Sequence, residues 1–148
     1  MNKQTNIPAD LRIVAFLFII EGILAIVDMI VGIAHERFAI NFGFIAIFIG
    51  RGLLKFNVSW RKIGLMGLWI SNIVVPFLLL YIIFFVKGDS IRAAFFGYLA
   101  TTLTRIEIIS ALTVLSAQSI WSTYVLYRKP IKQLFGISDE KEASTENE

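Results

Sequence analysis

The chain contains no cysteine, one histidine and three prolines, and 17% of its 148 residues are charged. Without cysteine there is no disulfide and no thiolate metal ligand, and redox chemistry says nothing about compartment. His35, with Glu36 and Asp28 at irregular spacing, makes a poor metal set; it reads as a solvated turn residue, and no metal or cofactor is expected. There is no G-x-S-x-G and no second histidine to activate the many hydroxyls. Gly50-Arg-Gly52 lacks a phosphate-loop context, so an enzyme is not expected. No solenoid-like repeat is present. The net charge of +3 does not point to nucleic acid, because the basic residues gather at the ends of apolar segments.

Hydrophobicity, by contrast, is abundant: 57% of residues are apolar and the mean hydropathy is +0.74. A soluble domain of this size has too much surface for that composition. The expectation is an all-α integral membrane protein, a bundle of four transmembrane helices. Spans are predicted at about 11–34, 38–54, 63–86 and 106–127, within one membrane domain covering 1–137. Residues 138–148 read as a disordered, acidic tail. Ile91, Phe95, Leu99 and Leu103 recur at helical spacing, which predicts an amphipathic interfacial helix over about 88–105 or an extension of the last span. The first apolar run is too long for a signal-peptide core and carries two acids, so no cleavable signal is expected.

Orientation follows from lysine and arginine in the short flanks. With four spans and the N-terminus inside, the inner side holds Lys3, Arg12, Lys55, Arg61, Lys62, Arg128, Lys129 and Lys132, against Arg37, Lys87, Arg92 and Arg105 outside. Both termini are therefore expected in the cytoplasm. Trp60, in the basic loop 55–62, suits a headgroup-level anchor.

The first span, residues 13–34, carries Glu21 and Asp28. Each central acid costs about 2.5–3.5 kcal/mol on the insertion scale, while the fourteen Leu, Ile, Phe and Val residues there return about −4 to −8 kcal/mol in all. The segment should therefore insert marginally alone and depend on its neighbours. At about 1.5 Å per residue, Glu21, Asn72 and Gln118 lie roughly 13, 15 and 13 Å from the inner ends of their spans, near the midplane. Arg51 is shallower and has the reach to meet Glu21. Asp28 sits at a depth where Ser110 and Thr113 would bond it, and Arg105 and Glu107 lie at the outer boundary. Stripes of small residues predict close seams: Ala25 and Gly32, then Ala39, Gly43, Ala46 and Gly50, then Gly64, Gly67 and Ser71, then Ser110, Thr113 and Ala117.

Two functions fit this pattern. The first is a structural or accessory membrane protein, whose partners are the bilayer and either another copy of itself or another membrane protein. The alternative is a proton- or cation-coupled small transporter that uses Glu21, with Asp28, Arg51, Asn72 and Gln118 as further groups of an ion or solute site.

The stretch GRGLLKFNVSWRKIGL, Gly50 to Leu65, resembles a pattern in small bacterial four-helix membrane proteins, where a G-x-G-L-L end precedes a basic turn with Trp-Arg. That resemblance implies a bacterial inner-membrane location and no activity. Glu21 in the first span is similar to the membrane-embedded glutamate of small multidrug resistance exporters, which implies exchange of protons for a cationic drug in an antiparallel dimer. The chain departs from those exporters in its length, in Asp28 and Arg51, and in its charge bias.

Overall fold

The computed structural model describes residues 7–34, 41–86, 88, 90–95 and 99–137. Lys3, the expected turn at His35 to Arg37, the first residues of the expected second span, Lys87 and the tail 138–148 lie outside the described residues.

Helix α1 spans Ala9–Ala34, with Asp10 in its first turn, where an acid complements the helix dipole. A 3-10 turn, Phe42–Phe44, is capped by the Asn41 side chain and leads into α2, Ile45–Leu54. Helix α3 covers Val58–Phe85 and α4 covers Arg105–Tyr127, followed by the short α5, Lys129–Leu134. Three of these helices, α1, α3 and α4, are long and apolar enough to cross a membrane. At about 1.5 Å per residue they measure roughly 35–42 Å, against a hydrocarbon core of about 30 Å. The helical stretch Phe42–Leu54 is shorter, roughly 20 Å.

The ends of the helices follow from local chemistry. Helix α3 begins at Val58, earlier than the hydropathy suggested, because the Asn57 side chain accepts from the backbone amides of Ser59 and Trp60 at 3.0 and 3.2 Å. It runs on through Pro76, which cannot donate to the Asn72 carbonyl one turn earlier. Helix α2 closes in a Schellman arrangement: Phe56 N–H donates to the Leu53 carbonyl and Asn57 N–H to the Gly52 carbonyl. The left-handed position in that turn is Phe56, φ 53°, where glycine is usual. Its ring meets Phe135 edge-on at 5.9 Å, which ties the turn to the segment after α5. Gly136, φ 70°, closes α5 in the same way.

Residues 90–95 and 99–104 overturn an expectation. The described residues there, β1 Ser90–Phe95 and β2 Leu99–Thr104, pair as antiparallel strands in place of an interfacial helix or an extension of the last span. The register pairs Ile91 with Leu103 and Phe95 with Leu99. A spacing of four is compatible with one helical face, but it is also an even number, so it satisfies a strand equally well. In the run Ala-Thr-Thr-Leu-Thr, residues 100–104, three of the five residues are β-branched threonines, which favours the extended form. Thr104 then caps α4 in a capping box, accepting from Glu107 N–H at 3.3 Å while its own amide donates to the Glu107 carboxylate at 2.7 Å.

Consecutive helices pack antiparallel. The α1–α2 seam is built on glycine: Gly22 lies against Ile47, Gly43 against Ala25, and Gly50 against the Ala15 carbonyl and Ile19. Gly52 makes room for Trp60 across the α2–α3 turn, and Gly64 faces Ile49. Helices α3 and α4 are clamped at both ends by arginine. Arg61, in the first turn of α3, is buried and donates twice to the Leu126 carbonyl at the end of α4, at 2.8 and 3.2 Å. Arg105, in the first turn of α4, donates to the Ile83 carbonyl near the end of α3. In each case a cation meets the negative end of the neighbouring helix dipole.

The core sits at one end of the molecule, where Leu11, Val14, Leu53, Val125, Leu126 and Ile131 are sealed together. That end also gathers Arg12, Arg51, Lys55, Lys62, Lys129 and Lys132. Toward the other end, large apolar side chains such as Ile30, Phe77, Phe84 and Val114 face outward.

Candidate functional site

Glu21 and Asp28, the two acids well inside α1, are each answered by an amide from another element. Gln118 Nε2 on α4 donates to Glu21 Oε1 at 3.1 Å. Asn41, just before the 3-10 turn, donates through Nδ2 to Asp28 Oδ2 at 3.0 Å. Glu21 and Gln118, placed at equal depth by counting residues, do meet. The other expected partnerships differ. Asp28 is bonded by Asn41 because the α1–α2 register that sets Gly43 over Ala25 brings Asn41 opposite Asp28. Thr113 instead donates to the Ile109 carbonyl of its own helix.

Arg51 does not reach Glu21. The residue of that turn facing α1 is Gly50, so the next residue, about 100° further round the helix, points away from α1. Arg51 lies exposed beside Lys55, Asn57 and Trp60 at the α2–α3 turn. Asn72 does not join Glu21 and Gln118 either: its Nδ2 donates to Thr123 Oγ1 at 3.0 Å, and its Oδ1 is buried without a described partner. Arg105 and Glu107 serve the α3 C-terminus and the α4 cap respectively.

The Glu21–Gln118 pair borders a cavity of about 310 Å³ between α1, α2, α3 and α4. Its walls are mainly apolar, with Leu17, Phe18, Ile49, Leu68, Val75 and Leu115 among them. Glu21, Gln118, Ser71, Ser119 and Ser122 supply the polar atoms. The Ser119 hydroxyl is buried and has no partner among the described residues. Gly67 also lines this space; nothing lies within 4 Å of where its Cβ would be, so this expected seam position is open. A volume of this size holds about ten waters or one small organic molecule. Chemically, the site offers one carboxylate, one amide and several hydroxyls on a hydrophobic wall, a set suited to binding and orienting. Among the described residues no group of three or more His, Asp or Glu side chains stands ready for a metal ion.

Several contributors were not singled out from sequence. Asn41 is an ordinary polar residue until the helix registers are known. Arg61 looked like one more topological charge. An ion pair between Arg128 and Asp10 joins the sealed ends of α4 and α1. Gly22 was hidden because it lies outside the stripe that holds Ala25 and Gly32. Comparison with protein-family models, curated proteins and solved structures gives no match for this chain.

Proposed function

We propose that the chain is a small integral membrane protein of a bacterial cytoplasmic membrane that crosses the bilayer four times. Its cavity would bind a small lipophilic solute carrying a positive charge or a hydrogen-bond donor, anchored at Glu21, and its activity would be that of a small cation- or proton-coupled carrier. Support for four crossings comes from direction. Helices α1 and α3 run the same way, which calls for a return between them, and α2, antiparallel to both, is the proposed returning span. The basic residues gathered at the sealed end support a cytoplasmic orientation for that end, and with it the expected cytoplasmic termini.

The observation that carries the solute reading is the position of Glu21 at the wall of a cavity rather than in a dry, packed seam. A carboxylate within a membrane is retained at a cost, and one that borders an apolar pocket can repay it by holding a cation. The test is binding and uptake of a lipophilic quaternary ammonium probe by the full chain reconstituted in vesicles. Wild type should bind and move the probe in a pH-dependent way, and Glu21→Gln should lose at least tenfold in affinity while retaining its helical spectrum.

A second reading, an accessory protein that associates with itself or another membrane protein, is favoured by the bonds from Gln118 and Asn41, which look like glue between helices. In that case neither protein binds the probe, and Glu21→Gln changes only stability or recovery of a partner.

A further inference from the structure

The α2–α3 turn carries a second concavity, of about 300 Å³, lined by Phe48, Arg51, Gly52, Lys55, Asn57 and Trp60. We infer that this concavity is a binding site for the phosphate headgroup of an anionic phospholipid on the cytoplasmic side of the membrane.

Arg51 and Lys55 stand one helical turn apart on the same face of α2, and both side chains are exposed with no ion pair or hydrogen bond to any described residue. They sit at the C-terminal end of α2, where the dipole favours cations. Asn57 spends its carbonyl oxygen on the α3 cap, which leaves its side-chain N–H groups facing the concavity's rim. Trp60 forms the opposite wall, stacked on Phe48 at 6.1 Å, and its indole N–H donates to no described residue. An apolar ring with an unused donor suits the level of the glycerol and headgroup region. Gly52 is what admits the indole, since any Cβ there would collide with Trp60.

The wall is therefore built, and its charge is uncompensated: among the described residues Asp10 is the single acid at this end, and Arg128 holds it. This arrangement attracts an anion, and the phosphate of a lipid whose chains run down the outer face of α2 suits it. Arg51 gives the forked donor that matches two phosphate oxygens and Lys55 the point charge.

The experiment uses the full chain with Trp69 and Trp121 replaced by phenylalanine, so that Trp60 alone fluoresces. Vesicles of brominated phosphatidylglycerol or brominated phosphatidylcholine supply the quencher. Each cation is worth about fivefold in relative affinity for anionic lipid, so wild type should prefer phosphatidylglycerol by about thirtyfold. Arg51→Gln with Lys55→Gln should abolish that preference. Arg12→Gln with Lys62→Gln, the same change in net charge at the same end, should leave most of it. Equal quenching by both lipids, or equal loss in the two double variants, would overturn the assignment. So would displacement of the lipid by millimolar inorganic phosphate, which would mark a soluble-anion site. The Arg51→Lys variant, which retains charge, should keep part of the preference; a complete loss there would also count against it.

Discussion

Replacing Gly22 by alanine tests whether α1 and α2 are held at backbone contact. A Cβ at Gly22 meets Ile47 Cγ1 at 2.5 Å, the Ile47 amide nitrogen at 2.7 Å and the Phe44 carbonyl oxygen at 3.3 Å. The isoleucine side chain can turn, but the other two atoms are backbone, so the helices themselves have to part. Overpacking of this kind costs about 1–3 kcal/mol. Against it, alanine gains about 0.5–1 kcal/mol over glycine inside a helix. Gly67 supplies the reference, because the same substitution there meets nothing within 4 Å and only the helix term remains. Gly67→Ala should therefore stabilise by about 0.5–1 kcal/mol. Gly22→Ala should fall below it by the steric term, about 1–3 kcal/mol. Reversible unfolding by sodium dodecyl sulfate in mixed micelles, followed by far-ultraviolet circular dichroism, reads both values. If Gly22→Ala proves as stable as Gly67→Ala, the close approach of α1 and α2 is wrong.

Two further outcomes follow from the α3–α4 side and use the same unfolding assay. Arg61→Met keeps the apolar stem but leaves the Leu126 carbonyl buried without its donors, which should cost about 1–3 kcal/mol. Arg61→Lys, with charge but no fork, should fall between; a methionine variant as stable as wild type would contradict the clamp. For Asn72 and Thr123, a double-mutant cycle with alanine should give a coupling of about 0.6 kcal/mol and no more than about 1.7. A coupling indistinguishable from zero would mean the 3.0 Å bond between them does not persist.

The three long helices were legible because hydropathy over twenty or more residues admits few alternatives. The meeting of Glu21 and Gln118 was foreseeable for a simple reason: depth along a helix is linear in residue number. Azimuth is harder. Whether Arg51 or Gly50 faces α1 depends on a rotation of about 100° per residue, and a small-residue stripe fixes that rotation only where the neighbouring helix is known. The same uncertainty hid Asn41 as the partner of Asp28. The strands Ser90–Phe95 and Leu99–Thr104 differ from the expected helix because a spacing of four does not distinguish the two periodicities, and the threonines carry the deciding propensity. Arg61 was visible as a charge but not as a cap, since its acceptor lies 65 residues away on another helix.

The way the helices are joined also explains why a cavity persists between them. Glycines bring α1 and α2 to backbone contact, and reciprocal arginines lock α3 to α4. Between α1 and α4 the described side-chain hydrogen bonds and ion pairs are two, Asp10 with Arg128 and Glu21 with Gln118. Their members are eleven residues apart on α1 and ten apart on α4, so on antiparallel helices both links fit a single register about 15 Å long. Each link is made through at least one long polar side chain, Arg128 in one and Glu21 with Gln118 in the other, which holds the two backbones further apart than glycine or alanine would. The pair that fixes the register of α1 against α4 thus also keeps the space beside Glu21 open, and a polar group serving packing and binding together is consistent with the acid being kept despite its cost of insertion.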